Sequence, residues 1–200
     1  KAQKKTKKVL VSIFINPKQF NSKIDFSKYP RNLKRDIKIL KKLKVKYLYC
    51  PNKNDMFSFK TKNKIYLHPF SKKLCGKFRP GHFRGVINVI NRFIELLKPK
   101  YILLGNKDFQ QLVLVKKHIL KSKIKSIVIP CKTIRSKAAL PFSSRNNNLD
   151  VQSKLLASKI FRLIKNEKKV IKNNKVKRIT LSNLKKRIFD LGIKKIDYIE

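Results

Sequence analysis

Three continuous apolar runs rich in β-branched residues constrain the fold of this chain more than any other feature. They are VLVSIFI at residues 9–15, YILLG at 101–105 and SIVIPC at 126–131. Such runs are typical of strands that are covered on both faces, as in parallel sheets. A further run, VKYLYC at residues 45–50, predicts another strand, the second of four in chain order.

Segments with the apolar spacing of helices separate these runs. After Pro30, which is well placed to open a helix, Leu33, Ile37 and Leu40 form one apolar stripe. Strands that alternate with helices predict an α/β fold whose parallel sheet is built by right-handed crossovers. The other predicted helices cover residues 84–98, stopped by Pro99, then 109–120, 151–164 and about 181–191.

The remaining segments are less regular. Residues 51–83 are expected to be mostly irregular, with one short strand at KIYLH, residues 64–68. After the 151–164 helix we expect a linker rich in Lys and Asn, and after the last helix a strand at KIDYIE, residues 195–200. We expect a first domain at residues 1–148 and a small second domain at 149–200.

The chain is strongly basic, with 53 Lys and Arg against 10 Asp and Glu and a formal net charge of +43. Such a surplus is typical of proteins that neutralise nucleic-acid phosphates. A second interpretation is equally open. The surplus is mostly Lys, and Ile, Asn and Phe are also abundant; all four have AT-rich codons, so biased base composition can produce the charge without a partner.

Cysteine usage and hydropathy bound the location of the chain. Cys50, Cys75 and Cys131 have no C-x-x-C spacing, which argues against a disulfide framework or a zinc site and for a reducing, cytoplasmic location. No run approaches the ~18 apolar residues of a membrane span, and the Lys-rich start lacks the apolar region of a signal peptide. We therefore expect no metal site within the protein and no membrane partner.

Polar residues gather after three of the predicted strands. Asn16 and Gln19 follow the first strand, residues 105–108 the third and residues 143–145 the fourth. Ligands of such sheets bind beyond the carboxyl ends of the strands, so one crevice is expected to collect all three groups. In the second group the chain turns into a helix, whose N–H groups and dipole attract anions, and Lys107 adds a charge. A phosphate-bearing ligand is predicted there.

Each group also has an ordinary structural interpretation. A glycine before Lys and Asp commonly forms a turn and a helix cap, SSRN a solvated loop, and NPKQ a plain turn. His82, in RPGHFRG, is more often a hydrogen-bonded structural histidine than a catalyst. Taken one at a time, these motifs leave the choice open.

Taken together, the motifs resemble those of pantoate–β-alanine ligases, also called pantothenate synthetases. The stretches VSIFINPKQF, YPRNLKRDIKIL, RPGHFRGVINVINRFIELLKPKYILLGNKDFQQLVLVKK and SSRN occur in that family's order and at about its spacings. The resemblance covers about residues 9–146 and continues weakly to the end of the chain.

The resemblance implies a Rossmann-like parallel sheet of the class I nucleotidyltransferase type with a truncated small C-terminal domain. It also implies a cytoplasmic homodimer that uses ATP with Mg²⁺. In the implied reaction, the carboxylate of pantoate attacks the α-phosphate of ATP, giving pantoyl adenylate and pyrophosphate. The amine of β-alanine then attacks the activated carbonyl, giving pantothenate and AMP.

The resemblance also assigns roles to residues of this chain. Amides suit the hydroxyl and carboxylate of pantoate, and Asn16, Gln19 and Gln111 are assigned to pantoate and β-alanine. Lys107, Ser143, Ser144 and Arg145 are expected to be catalytic through the phosphates. The ATP-binding set is Gly105, Asn106, Lys107, Asp108, Ile134, Phe142, Ser143, Ser144 and Arg145, with Ile134 against the adenine.

The chain departs from the family pattern in several places. A glycine-rich H-x-G-H segment should precede Val9, and no residue before Val9 matches it. Where the family has the loop Asp-Gly-Leu-Ala-Met/Leu, this chain has AALPF at residues 138–142. It has Cys75 where the family usually has a glutamate, and most of the family's C-terminal lid has no counterpart here. We expect the lost glycine, at the position of Ala139, and the gained proline to stiffen the loop.

Two hypotheses follow from these departures. The first is a ligase, or an impaired fragment of one. The second is a degenerate copy that binds nucleic acid through aromatic residues between basic ones, as in FSFKTKNKIYLHPF at residues 57–70. The resemblance favours the first hypothesis.

Overall fold

The structure, a computed structural model, describes residues 1–20, 22–173 and 177–200. These residues form two compact units, Lys1–Lys132 and Thr133–Glu200. The first unit contains four parallel-paired strands with helices between them, and the second is largely helical. The mixed α/β class with parallel strands is therefore confirmed, whereas the domain division after residue 148 stays a prediction.

The strands pair as two parallel two-stranded sheets, β1 with β2 and β3 with β4. In the first pair the last hydrogen bond runs from Ile13 N to Tyr49 O at 2.9 Å, and the chain then turns at Asn16. β1 and β2 are therefore shorter than the apolar runs predicted. The strands are β1 (Leu10–Ser12), β2 (Tyr47–Tyr49), β3 (Tyr101–Gly105) and β4 (Ile127–Cys131).

Eight α-helices lie in the described residues, together with 3-10 turns at Pro17–Gln19, Pro69–Lys72, Asn106–Asp108 and Ser144–Asn148. The helices are α1 (Lys23–Ser27), α2 (Leu33–Lys42), α3 (Lys53–Phe57), α4 (Cys75–Phe78), α5 (His82–Leu97), α6 (Phe109–Lys121), α7 (Val151–Asn173) and α8 (Lys177–Asp190).

The structure corrects several boundaries. Helix α2 begins after Asn32, whose side chain accepts a hydrogen bond from Arg35 N at 3.0 Å, so this amide sets its start rather than Pro30. Helix α7 runs past its predicted end at residue 164. Of the predicted linker that follows, residues 174–176 lie outside the described residues.

The two short strands predicted at residues 64–68 and 195–200 are wrong, because neither described segment is a strand. In the first, Ile65 and Leu67 pack against the core, while Tyr66 N donates to Nδ1 of His118 at 3.2 Å. The alternation of apolar residues there reflects core packing without strand pairing.

The core of the first unit lies between α5, α6 and the β3–β4 sheet. Ile102 and Leu104 of β3 and Val128 of β4 pack against its buried side chains. Burying side chains of this size contributes roughly 1.5–3 kcal/mol each. The packing fixes the end of β3 against the start of α6, where the predicted anion site lies. The buried cluster is Phe83, Ile87, Ile94, Leu114, Val115 and Ile119.

Within the described residues, no helix combines the length and the apolar character needed to cross a bilayer.

Candidate functional site

The segment that follows β1 is held against the start of α5 by the Asn16 side chain. Asn16 is 1% exposed; its Nδ2 donates to Gly85 O at 3.1 Å, and its Oδ1 accepts from Lys18 N at 3.1 Å. The amide therefore caps the Pro17–Gln19 turn and links it to α5. These contacts position Gln19, while a direct contact of Asn16 with substrate stays a prediction.

Gly85 and His82 complete this contact from the side of α5. A Cβ on Gly85 would lie 2.4 Å from the Lys18 carbonyl oxygen, so only glycine lets the two segments touch. Nδ1 of His82 lies 2.6 Å from the Gln19 carbonyl oxygen. Because a carbonyl only accepts, Nδ1 carries the hydrogen and donates it. His82 thus forms the structural hydrogen bond that its motif indicated.

Gly105, the last residue of β3, is not required by its own surroundings. Its φ of −74° is open to any residue, and a Cβ there would meet only Lys107 N, at 3.9 Å, among the described residues. The backbone at this strand end is therefore open to close approach. A ligand that lies against it would account for the glycine, which the fold does not.

Lys107 and Asp108 form an ion pair in the turn between β3 and α6. Nζ of Lys107 lies 2.9 Å from Oδ1 of Asp108, and the two side chains are 39% and 55% exposed. Exposed pairs of this kind are worth only about 0–1 kcal/mol. Lys107 can therefore exchange Asp108 for a phosphate at little cost in free energy. The Asp108 carboxylate can then accept a hydrogen bond from a hydroxyl.

The two neighbouring glutamines of α6 have different environments. Gln111 is half-buried, and its side chain makes no hydrogen bond to another described residue. Gln110 is 7% exposed, and its Nε2 donates to Phe70 O at 2.9 Å and to Lys73 O at 2.7 Å. Its Oε1 is buried without a hydrogen-bond partner in the described residues.

Gln110 was missed by sequence reasoning, although a signal for it exists. It lies four and eight residues before Leu114 and His118, which are both buried on the same face of α6. Its two hydrogen bonds tie the Pro69–Lys72 turn to the first turn of α6, so Gln110 positions the segment that carries Gln111.

In the second unit, Ile134 and Phe142 are brought together. Phe142 N donates to Ile134 O at 3.2 Å, and the two apolar side chains are 68% and 66% exposed. Between them Arg135 pairs with Pro141 in an isolated antiparallel bridge. An exposed apolar pair on a tied backbone is a suitable platform for a nucleobase.

The SSR motif begins the 3-10 turn Ser144–Asn148 rather than following β4 directly. Oγ of Ser143 accepts from Arg145 N at 3.3 Å, and Nδ2 of Asn146 donates to Pro141 O at 2.8 Å. The hydroxyl of Ser143 therefore caps its own turn. Whether Ser143, Ser144 and Arg145 share a crevice with Gln19, Lys107 and Gln111 stays a prediction.

A buried polar network surrounds His118 in the last turn of α6. His118 is 0% exposed; its Nδ1 accepts from Tyr66 N, and its Nε2 lies 3.3 Å from Oδ1 of Asn91. Nδ2 of Asn91 lies 3.3 Å from the Glu95 carboxylate. Burial lowers the pKa of His118 from its ordinary value, so the imidazole is held neutral.

Aromatic residues between positions 57 and 70 pack within the chain. The guanidinium of Arg92 lies 5.0 Å from the Phe57 ring and 4.9 Å from the Phe59 ring, and Phe70 packs against the core. Arg92 also donates to Phe59 O at 2.6 Å. Because these rings are engaged internally, they are poorly suited to stack on exposed bases, which disfavours the nucleic-acid hypothesis.

Comparison with known proteins identifies one family. A family model described as pantoate–beta-alanine ligase matches residues 1–200. The pantothenate synthetase of Buchnera aphidicola subsp. Schizaphis graminum is 41% identical over 94% of this chain and 65% of that protein. The one from Clostridium botulinum is 36% identical over 100% of this chain and 71% of that protein.

Solved structures agree with this match. A Francisella tularensis pantoate–beta-alanine ligase, complexed with beta-gamma ATP and beta-alanine, is 32% identical with a TM-score of 0.82 over 100% of this chain and 74% of that one. A pantothenate synthetase from Thermus thermophilus is 28% identical with a TM-score of 0.90 over 98% of this chain and 72% of that one. The chain thus spans 65% to 74% of the length of these four proteins.

Proposed function

The chain belongs to the pantoate–β-alanine ligase family, and from this premise we propose that it condenses pantoate with β-alanine at the expense of ATP. The proposal includes the pantoyl-adenylate intermediate and the products pantothenate, AMP and pyrophosphate. The observation that carries it is the turn after β3, where an open Gly105 backbone, Lys107 and the start of α6 lie together. This turn has the properties of a phosphate site.

In the first step, a carboxylate oxygen of pantoate attacks the α-phosphorus of ATP, and the bond from that phosphorus to the bridging oxygen of pyrophosphate breaks. Gln19 and Gln111 hold the pantoate, because amides can both donate to its carboxylate and accept from its hydroxyl. The Lys107 ammonium group stabilises the negative charge that develops on the phosphate oxygens, and the Asp108 carboxylate accepts a hydrogen bond from a ribose hydroxyl.

The proposal also assigns residues of the second unit to the nucleotide. Ile134 and Phe142 contact the adenine, while Ser143, Ser144 and Arg145 bind the pyrophosphate as it leaves. Mg²⁺ arrives with ATP as part of the substrate and neutralises phosphate oxygens. In the described residues, no group of three or more His, Cys, Asp and Glu is placed to hold a metal ion by itself.

In the second step, the amine of β-alanine attacks the carbonyl carbon of the adenylate. The bond from that carbon to the phosphate oxygen breaks, AMP leaves, and the nitrogen loses its proton. No covalent bond to the protein is formed, so the residues act by positioning the reactants and stabilising charge. By family resemblance we further propose that the protein is a cytoplasmic homodimer. Analytical ultracentrifugation would measure whether it dimerises in solution.

The test compares Lys107→Ala with Gln111→Ala. Removing a phosphate contact that matters most in the transition state should lower the rate of pantoate-dependent pyrophosphate release about 10²-fold, with little change in the pantoate requirement. Gln111→Ala should mainly raise the pantoate concentration needed. Pyrophosphate release and subsequent β-alanine-dependent AMP formation are measured over a range of pantoate concentrations.

Lys116→Ala is the matched control, because Lys116 is an exposed lysine of α6, the helix that follows the Lys107 turn and carries Gln111. It should leave both steps unchanged. A Lys107→Ala protein that reacts as fast as the parent would remove the phosphate role. Absence of pantoate-dependent pyrophosphate release from the parent protein would contradict the ligase activity itself.

A further inference from the structure

A cleft of about 770 Å³ opens where β3 and β4 begin. Its walls come from the end of α5, the end of α6 and the residues that lead into the two strands. β3 advances roughly 3.3 Å per residue, so its two ends are about 13 Å apart. The cleft therefore lies at the N-terminal ends of the two strands, whereas the turn at Gly105 lies at their C-terminal ends. Its volume is in the range of small-molecule sites.

The cleft is lined by more cations than its surroundings can neutralise. Of its charged lining residues five are lysines and one is a glutamate, Glu95. None of the five ammonium groups forms an ion pair with a residue that the structure describes. The lysines are Lys62, Lys98, Lys100, Lys123 and Lys125.

Glu95 is committed to other partners. Its carboxylate accepts from Lys62 N at 2.9 Å and from Asn63 N at 2.8 Å, and Nδ2 of Asn91 lies 3.3 Å away. The acid thus fixes the backbone at the rim of the cleft. Its lone pairs are directed to N–H groups rather than to the ammonium groups around it.

The lysines are also not needed to cap the helices that end here. Lys98 N donates to Ile94 O at 2.8 Å at the end of α5, and Ile124 N donates to Ile119 O at 3.0 Å at the end of α6. Because backbone N–H groups satisfy these carbonyls, the ammonium groups remain available to a ligand.

We propose that this cleft binds a small polyanion of the inorganic or nucleoside polyphosphate class. Several phosphate groups close together would relieve the mutual repulsion of the five lysines, which a single carboxylate cannot do. The site is separate from the turn at Gly105, and the inference does not depend on the ligase reaction.

The test uses inorganic tripolyphosphate as the probe and isothermal titration calorimetry at low ionic strength. Lys62→Gln, Lys100→Gln and Lys125→Gln are combined, and Lys98 and Lys123 are left in place because they adopt positive φ angles of 44° and 51°. We expect the triple variant to bind at least tenfold more weakly than the parent.

The matched control combines Lys34→Gln, Lys38→Gln and Lys41→Gln, three exposed lysines of α2, and so removes the same charge. It should bind within twofold of the parent. Equal weakening by the α2 control would overturn the proposal in favour of general charge attraction. Loss of binding in Lys107→Gln but not in the cleft variant would overturn it by placing the anion at the Gly105 turn.

A third arm titrates a single-stranded oligonucleotide of the same total phosphate concentration. If the cleft variant loses oligonucleotide binding while the parent shows no tripolyphosphate binding, the surface serves nucleic acid and the small-polyanion proposal fails.

Discussion

Helices α5 and α6 begin and end under different constraints. In the first turn of α5, Gly85 lies against the backbone of another segment, whereas Gly105, which ends β3 ahead of α6, faces open space. At their ends, where a positive φ favours glycine, lysines stand instead: Lys98 at 44° and Lys123 at 51°. Glycine thus stands at position 85, where a side chain would collide with backbone, whereas lysines stand at two helix ends, where the cost is only one of backbone conformation.

This difference separates two costs that are often treated as one. A Cβ at 2.4 Å from a carbonyl oxygen cannot be relieved by a change of rotamer, so the backbone must move. A left-handed lysine costs roughly 1–2 kcal/mol, which a well-packed domain can tolerate. Gly85, at the start of α5, should therefore tolerate substitution less well than Lys98 and Lys123 at the helix ends.

The largest effect is expected from Gly85→Ala. The added methyl group would push the Pro17–Gln19 turn away from α5, and we expect a loss of about 3 kcal/mol in the free energy of unfolding. Gly105→Ala, at the open glycine, should change it by less than about 0.5 kcal/mol. Urea unfolding followed by circular dichroism measures both, and equal values for the two variants would break the comparison.

His118 makes the end of α6 sensitive to pH. Burial lowers the pKa of His118 in the folded protein. Below about pH 6.5, the imidazole therefore binds a proton in the unfolded chain but not in the folded one. The stability contributed by neutral His118 is present above that pH and is lost as the pH falls towards the lowered pKa. Urea unfolding between pH 7.5 and 5 should therefore show falling stability.

His118→Gln tests the assignment, because glutamine keeps hydrogen-bonding capacity but does not titrate. The variant should be less stable at pH 7.5 and should show a shallower decline between pH 7.5 and 5. A decline as steep as that of the parent would assign the pH dependence to other groups.

The smallest effect is expected from Lys98→Gly. Relief of the positive φ should outweigh the greater freedom of glycine in the unfolded chain, giving a gain of about 0.5 kcal/mol. Lys38→Gly, the same substitution within α2, should instead cost about 1 kcal/mol because it lies inside a helix. If both variants lose stability in thermal unfolding, conformation at the helix end is not under strain.

The same reasoning applies to the loop of the second unit. Ala139, at the position where the resembling family has glycine, adopts a φ of 64°. The substitution that was expected to stiffen the loop therefore also leaves an alanine in a conformation suited to glycine. Arg135 NH1 donates to Ala139 O at 2.9 Å, which holds the residue in that conformation.

Much of the first unit was predictable from sequence. β3 has the limits of its apolar run, and α5 stops before Pro99 because proline cannot continue a helix. The pattern at residues 64–68 predicted a strand because Ile65 and Leu67 pack against the core at alternate positions, as they would in a strand. Tyr66 N donates instead to a histidine ring, so no strand pairing forms there. Local pattern cannot distinguish these cases, since the partner lies 52 residues away.

The candidate site was predictable in part. The turn at residues 105–108 lies between β3 and α6 as expected, because a glycine after an apolar run marks a strand end. The structural importance of Gln110 follows from its helical face, whereas the ion pair of Lys107 with Asp108 depends on rotamers that no pattern encodes. The roles assigned to these residues rest on the family resemblance.

The hydrogen bond from Asn16 to Gly85 joins positions 69 residues apart. Closing a loop of that length costs conformational entropy, which favourable contacts offset only after the loop has closed. We therefore expect this hydrogen bond to form late in folding. Gln19 is therefore set in place only when most of the first unit has assembled. A ligand held by Gln19 would then stabilise the whole unit, and its binding would slow hydrogen exchange at core amides as well as in the turn.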